Sequence, residues 1–460
     1  MKMNEYLNTT HDTLTAASTT PTPGRDASLF DLPAERAAEF FEVAGMLEHD
    51  AQTLRAGVEL RSHLRLPTME DGRRVLSRAT PEERKRRGAT FFDAIRSRQR
   101  LGQGMHDRGE AFTFADAEPT QSDGKGLARH LPVRVCAISV AHKTLAAGEV
   151  WDVSVRGEDW GVDDVEELYV IVNVGVLVME PGASLIVRGN VFSLVCQRLV
   201  RNGPAPENVV PGPDNFDIGI LPTPFSVDTG SGPLDGADGA DGSDGRDGLD
   251  LEIRTGMLGP LVVDETAEAG PAGSAATAGG PGQDGTRGRT GGMCKLAELT
   301  LREVAGTRGV LTVFAQAGHG GRGGDGGPGG HGGRGGHGGS GGRSLRGPVP
   351  GGDGGDGGPG GDGGDGGRGG HGGISSNVYI TVEPPDAHKV FAFAQPSQPG
   401  EGGASGVGGH GGEGGTPGLG SRTEEDGRRG LRGTDGTHGT PGRGGKARPA
   451  AALFLNGEPL

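Results

Sequence analysis

GHGGRGGDGGPGGHGGRGGHGGSGGR, residues 318–343, and PGGDGGDGGPGGDGGDGGRGGHGG, residues 350–373, repeat Gly-Gly-X without a break. The X residues of the first are His319, Arg322, Asp325, Pro328, His331, Arg334, His337, Ser340 and Arg343. Those of the second are Asp353, Asp356, Pro359, Asp362, Asp365, Arg368 and His371. A flexible linker needs glycine but has no use for a strict period of three. An extended helix with three residues per turn and a rise of about 3.1 Å per residue does, because it aligns every X side chain along one edge. The other two edges are bare glycine, so neighbouring helices can approach closely and hydrogen-bond sideways. The two stretches predict a packed bundle of glycine helices rather than a disordered tail.

The same texture recurs at 235–250, 270–291 (interrupted at Ala276), roughly 400–420, and 427–445. Apolar strand segments alternate with it, at 249–263, 296–316, 377–395 and 450–455. Two of these end alike, Val313-Phe314-Ala315-Gln316 and Phe391-Ala392-Phe393-Ala394-Gln395, and each runs on into glycine. That recurrence predicts an internal repeat of strands followed by glycine helices, each unit hiding its strand face against its neighbours. A lone glycine helix cannot offset a backbone entropy loss of about 1–2 kcal/mol per residue. Lateral N–H···O and Cα–H···O contacts must do so, and Gly-to-Ala changes on inward edges should be disruptive. If 344–349 is a turn, the two strict rows run antiparallel. The expected register sets His337 beside Asp356, His331 beside Asp362, Asp325 beside Arg368, and Arg343 beside Pro350. Arg322 beside His371 is its one poor contact.

Upstream the texture is ordinary. Residues 1–27 are polar, rich in Thr and Pro, and read as a disordered tail. A helical module spans 28–115: Pro33 opens one helix with an apolar face at Phe40, Phe41, Ala44 and Leu47. Thr80-Pro81-Glu82-Glu83 caps a second, continued by Phe91, Phe92, Ile95 and Leu101. The basic run Arg84–Arg87 reads as a solvated helix face. The pattern switches to period two near residue 132, in 133–140, 150–155 and 168–191. There GVLVMEPGASLIVRGNV is short strand, Pro-Gly turn, short strand, Gly-Asn turn. This resembles the coils of parallel β-solenoids, with an antiparallel β-sandwich hairpin as the alternative.

The chain has 460 residues, with 94 Gly, 30 Pro, 4% aromatic residues and a formal net charge of −15. Such a charge argues against a nucleic-acid surface. Cys136, Cys196 and Cys294 are too few and too scattered for a disulfide framework, and their apolar surroundings predict buried, inert thiols. No secretory signal and no membrane-spanning run of about 18 apolar residues is visible. That points to the cytoplasm or to export by a route other than Sec.

Chemistry is harder to place. His319, His331, His337 and His371 with the aspartates suggest metal ligation, but residues one turn apart lie about 9 Å from each other, too far to share an ion. The row Asp235, Asp238, Asp241, Asp244, Asp247 meets the same objection, and calcium β-rolls need an apolar residue every nine. Gly-x-Gly-x-x-Gly matches arise from composition alone, outside any strand–helix unit. No phosphate-binding loop, zinc-protease motif or nucleophile elbow occurs. Glu158, Asp159, Asp163, Asp164 and Glu166 form one loop cluster of acids.

The Gly-Gly-X runs resemble the polyglycine-II sandwich of glycine-rich phage tail-fibre adhesins and the repeats of mycobacterial PE-PGRS surface proteins. The segment 427–445 looks collagen-like, but it is short and lacks sustained proline. The likenesses cover about 235–445 and imply architecture; no site residue carries over. The connections here are shorter than the adhesins' tip loops, and the PE-type helical signature is missing.

The expectation is a mainly β chain plus a polyglycine-II helix bundle, with a small α-helical N-terminal module (28–115) and a β-solenoid-like or β-sandwich middle (130–228). The bundle, interleaved with strands, takes 230–460. Its expected function is structural or adhesive and non-enzymatic. The binding residues would be His319, Arg322, Asp325, His331, Arg334, His337, Asp353, Asp356, Asp362, Asp365, Arg368 and His371. No cofactor or metal is called for. Partners would be a protein or glycan surface or a second copy, with no nucleic acid and no membrane span. The alternatives are a polysaccharide-active β-solenoid enzyme using the 158–166 acids, and an ice- or mineral-binding face.

Overall fold

The computed structural model describes residues 59–91, 108–115, 130–160, 168–203, 212–213, 215–223, 242–257, 259–264, 266–307, 309–421 and 425–460. The expected tail at 1–27, the helix near 33–47, the positions Phe92, Ile95 and Leu101, and the acids Asp163, Asp164 and Glu166 lie outside them.

The described fold is dominated by two sheets. The larger contains β1 (Glu59–Leu66), β2 (Val133–Leu145), β4 (Leu168–Met179), β6 (Val191–Arg201), β10 (Ala297–Gly306), β14 (Val378–Val382), β16 (Leu453–Leu455) and β17 (Glu458–Pro459), in that spatial order. The smaller has the order β15 (Val390–Gln395), β11 (Leu311–Gln316), β7 (Ile218–Leu221), β5 (Ser184–Arg188) and β3 (Val150–Asp152). From β2 to β7 the chain alternates between the sheets, and within these two sheets every pairing among strands β2 to β16 is parallel. β4 and β5 lie in different sheets, so the hairpin alternative does not hold. The Pro-Gly and Gly-Asn turns fall at the two corners, with Gly182 at φ 76° and Gly189 at φ 68°. At the second corner Asn190, buried, pairs with the backbone of Val155 in both directions, at 2.8 and 2.9 Å.

Parallel register stacks equivalent side chains into ladders. Cys136, Val170, Phe192, Ala297 and Val378 form one rail of the larger sheet, and Ile138, Val172, Leu194, Leu299 and Ile380 another. Trp151, Leu185, Ile218, Val313 and Ala392 face them from the smaller sheet. All but Ala392, which packs against it, belong to a single apolar core. Phe216, Phe314 and Phe393 stack on the smaller sheet, with ring centroids 5.4 and 4.8 Å apart.

The first halves of β2, β4, β6 and β10 are buried on both faces, which explains their near-continuous apolar runs. Helices α1 (Met69–Leu76), α2 (Pro81–Phe91) and α3 (Arg108–Phe114) belong to the N-terminal segment, and the Ser193 hydroxyl on β6 donates to Leu76 O at 2.8 Å. The Thr80 start is a reciprocal cap: Thr80 N–H donates to Glu83 at 2.7 Å and Glu83 N–H to the Thr80 hydroxyl at 3.2 Å. Two expectations change here. The 28–115 segment is not purely helical, since β1 pairs antiparallel with β2 and closes that edge of the sheet. The basic run is not wholly solvated either. Arg87 pairs with buried Glu298 at 3.1 Å and lies 4.0 Å over the Tyr379 ring, fastening α2 to the sheet.

The glycine segments leave the sheets at equivalent points. One pair is inserted between β7 and β10, a second between β11 and β14, and a third between β15 and β16. The sheets therefore run across the boundary expected near residue 230.

Candidate functional site

Six glycine rows lie side by side: row 1 (242–250), row 2 (270–291), row 3 (318–343), row 4 (350–373), row 5 (400–420) and row 6 (427–445). Their amides bond sideways at a period of three. Rows 3 and 4 are antiparallel, with Gly352 N–H donating to Gly339 O, Gly355 to Gly336, and so on to Gly373 and Gly318, at 2.8–2.9 Å. Row 2 lies parallel to row 4, with Gly273 N–H to Asp353 O and Gly282 N–H to Asp362 O. Row 3 lies parallel to row 5, and row 4 to row 6, through Gly323 N–H to Glu401 O and Gly354 N–H to Arg428 O. Consecutive rows are thus antiparallel and alternate rows parallel, which makes two layers: rows 1, 3 and 5, and rows 2, 4 and 6.

The close approach demands glycine. A Cβ on Gly358 would lie 1.8 Å from Thr277 O, and one on Gly412 1.8 Å from Gly333 O. Ala276 occupies such a place on row 2, and around it the bonds from Gly333 N–H to Thr277 O and from Gly336 N–H to Ser274 O lengthen to 3.1 and 3.0 Å. Glycine number follows position. Rows 3 and 4, central in their layers, carry two glycines in every triplet and row 5 in nearly every one, whereas rows 1, 2 and 6, each at the end of a layer, carry mostly one.

The antiparallel arrangement of rows 3 and 4 is as expected, but the expected side-chain register is not. The two rows meet through glycine backbone, and their X residues engage different partners. His337 neighbours Asp247 and Thr416, not Asp356, and Asp365 neighbours Asp284 and Thr440. Bare edges pack most tightly against each other, which turns the X edges into opposite layers.

Within each layer the X side chains accept backbone amides of the next parallel row. On rows 1, 3 and 5, Asp244, Asp247 and Asp250 accept from Arg334, His337 and Ser340 N–H at 2.7, 2.7 and 2.6 Å. His319, Asp325, His331 and His337 accept from Gln398, Ala404, His410 and Thr416 at 2.9, 2.6, 2.9 and 3.1 Å. On rows 2, 4 and 6, Asp284 accepts from Asp365 N–H at 2.7 Å. Asp353, Asp356, Asp362 and Asp365 accept from Arg428, Leu431, Thr437 and Thr440 at 2.6–2.7 Å, and His371 from Lys446 at 2.8 Å. Asp Oδ1 and His Nδ1 both sit one bond beyond Cγ, where they reach the neighbouring amide; Arg and Lys have no acceptor.

Of the expected binding residues, the structure gives His319, Asp325, His331, His337, Asp353, Asp356, Asp362, Asp365 and His371 this latching role. Arg322 pairs with Asp325 at 2.5 Å, while Arg334 and Arg368 stand exposed on opposite layers. Sequence reading missed Asp244, Asp247, Asp250 and Asp284 as latches, although the Gly-X-Asp period was the signal. The rings of His331 and His410 stack with centroids 5.4 Å apart. Among the described residues no three His, Cys, Asp or Glu side chains group as ligands for a metal ion, and no helix is long and apolar enough to cross a membrane. All three cysteines are buried, and burial pushes the Cys196 thiol up to about 12. Glu158 and Asp159 lie in the short helix α4 (Gly157–Trp160), where Asp159 accepts from Arg156 N–H at 2.9 Å.

At the far end of the rows the connections form two small hairpins, β8 (Ile253–Gly256) with β9 (Gly259–Val262) and β12 (Gly342–Ser344) with β13 (Gly347–Val349). They pack together, since a Cβ on Gly342 would sit 2.9 Å from a Val262 methyl. Met257 and Leu345 at their turns are exposed. No protein-family model, curated protein or solved structure matches the chain.

The latches predict an acid response in two steps. Amide donors hold Asp325, Asp362 and Asp365 below the ordinary 3.8, each by its backbone bond first. A depressed carboxylate adds stability above its unfolded value and loses it as pH falls through the folded one. Burial first, then the charges of Arg368, Arg287, Arg448 and Lys446, hold His371 below 6.5. Its Nδ1 must stay unprotonated to accept from Lys446, so that latch weakens as pH drops below 6.5. By hydrogen exchange corrected for intrinsic rates, the Lys446 amide should lose protection as the pH falls below 6.5, ahead of the amides latched by aspartates. The Thr440 amide, latched by Asp365, should hold until below 3.8. Simultaneous loss at both amides would contradict the assignment.

Proposed function

We propose that the chain is a non-catalytic display protein. In this reading the two sheets are successive turns of a parallel β-solenoid, and the rows are polyglycine-II helices leaving it at equivalent corners. The solenoid anchors the rows, and the rows present two regular side-chain grids and the distal hairpins to a protein or glycan surface. The observation that carries the reading is the latch system: Asp and His side chains that could do chemistry are instead spent on neighbouring amides, which fixes the backbone positions of the remaining X residues in a regular array. Such an array loses little backbone and loop entropy on binding. Rows 1, 2 and 6 support it too, because their second side chain hinders the addition of a further row and leaves those faces for other partners.

The test is binding of the labelled full chain to cells and to a glycan array, beside a hydrolase and lyase panel. Display predicts surface binding that falls at least tenfold when Gly358→Ala loosens the bundle, with no turnover on the panel. Turnover on the panel, or surface binding that Gly358→Ala leaves unchanged, would overturn it.

A further inference from the structure

The layer of rows 2, 4 and 6 is a grid whose rungs can be read from its latches. Asp365 N–H bonds to Asp284 and Thr440 N–H to Asp365, so residues 284, 365 and 440 stand abreast. One triplet further along these parallel rows come Arg287, Arg368 and Arg443. The backbone confirms their alignment, since Gly288 N–H donates to Arg368 O at 2.8 Å and Gly369 N–H to Arg443 O at 2.9 Å. The next rung holds His371 and Lys446, with Arg448 just beyond.

This arginine rung does nothing for the bundle. An arginine cannot accept an amide, so the latches that Asp284 gives Asp365 and Asp365 gives Thr440 are not repeated there. Among the described residues, none of the three guanidinium groups pairs with a carboxylate within 4.0 Å, although all three are exposed. Elsewhere on the rows an arginine one triplet before an aspartate pairs with it, as in Arg322–Asp325 at 2.5 Å and Arg432–Asp435 at 3.0 Å. Arg287 and Arg368 instead follow their aspartates. Three like charges abreast repel one another, in a chain whose formal net charge is −15. A rung that gives up latches and concentrates repulsion is explained by an anionic ligand that removes the repulsion.

We propose that Arg287, Arg368 and Arg443, extended by Lys446, bind an acidic polysaccharide through its carboxylate or sulfate groups, the chain lying across the rows along the rung. The proposal rests on the display reading and names its ligand class. Guanidinium forks bind such groups in a bidentate manner. The site is a narrow strip: the rung on one side is Asp284 and Asp365, about 9 Å away at three residues of about 3.1 Å rise. Those carboxylates would repel a broad anionic membrane but leave a single polymer chain room. No Phe, Tyr or Trp stands on rows 2, 4 or 6 to stack a base, which disfavours single-stranded nucleic acid.

The experiment is titration calorimetry of the full chain with heparin, polygalacturonate and neutral dextran, beside single-stranded DNA and phosphatidylglycerol vesicles. The expected result is binding of heparin or polygalacturonate that weakens with added salt, and none of dextran. Arg368→Asp is the decisive variant, because it places a latch opposite the Arg443 amide. It should leave the unfolding midpoint unchanged or higher while weakening polysaccharide binding at least tenfold. Equal binding by Arg368→Asp, or DNA or vesicles bound as tightly as the polysaccharides, would overturn the proposal. So would absence of polysaccharide binding; if array binding to neutral glycans or proteins then persists, the display reading stands without this site.

Discussion

Replacing Gly358 with alanine is expected to destabilise the glycine rows by about 3–5 kcal/mol. The new methyl would lie 1.8 Å from Thr277 O and 2.5 Å from Thr277 C, both backbone atoms that no rotamer change can move aside. Thr277 O is also the acceptor for Gly333 N–H, and Gly358 N–H itself donates to Gly333 O at 2.9 Å. Pushing rows 2 and 4 apart therefore endangers at least these two bonds at about 1 kcal/mol each. Overpacking typically adds about 1–3 kcal/mol. The matched control is Gly444→Ala, whose Cβ would meet Gly400 O at 3.6 Å, an ordinary contact. Thermal unfolding followed by circular dichroism, with amide exchange at Gly333, should separate the two variants by several degrees. Equal midpoints would mean that the rows do not pack as described.

Some of this was legible in the sequence, for a definite reason. Strict Gly-Gly-X at 318–343 and 350–373 can satisfy its amides only sideways, so lateral contact follows from composition and period together. The sheet-dominated class, the helix start at Thr80 and the burial of the cysteines were legible through period-two patterning and local chemistry; the return bond from Thr80 N–H to Glu83 was not. The side-chain register of rows 3 and 4 was not. Charge complementarity suggested His337 beside Asp356, but edge packing decided the matter, and Asp prefers a neighbouring amide to an opposite charge. That preference cannot be seen until the neighbouring row is known, as Asp353 with Arg428 shows, 75 residues apart in sequence. The strand β1 was hidden for a similar reason. Its role is to close the edge at β2, and only the tertiary partner reveals it.

The sheets and the rows are coupled by the order in which the chain visits them. Each pair of rows begins after a strand of the smaller sheet and ends before the next strand of the larger. The strands therefore fix where rows start, and the antiparallel return of each pair brings the chain back for the next strand. The parallel pairings β6–β10, β10–β14 and β14–β16 join strands separated by whole row pairs. Such contacts cost loop-closure entropy, which grows only slowly with the length inserted. Side-chain ladders and row packing together can offset it.

The junction where the first row pair is inserted supplies the second large prediction. Asp217, just before β7, accepts from Arg201 at the end of β6 at 2.8 Å and from both the amide and the hydroxyl of Thr312 on β11, at 2.8 and 2.7 Å. Both charged side chains are nearly sealed from water, at 3% and 5% exposure. Asp217→Ala would take the carboxylate away from the buried Arg201 guanidinium and remove the acceptor for two Thr312 donors. Breaking a buried pair from one side costs about 3–5 kcal/mol, a large part of the 5–15 kcal/mol that holds a typical domain together. The double variant Arg201→Met with Asp217→Asn keeps an acceptor for Thr312 and removes both charges, so it should recover most of the loss. Urea unfolding of the three proteins checks this, with the midpoint falling in Asp217→Ala and returning in the double variant. A loss below about 1 kcal/mol for Asp217→Ala would place the pair in solvent rather than in the core. Amide exchange adds a locating readout: Asp217→Ala should deprotect β7 and β11 first, whereas Gly358→Ala should deprotect rows 2 to 4 and spare the strands.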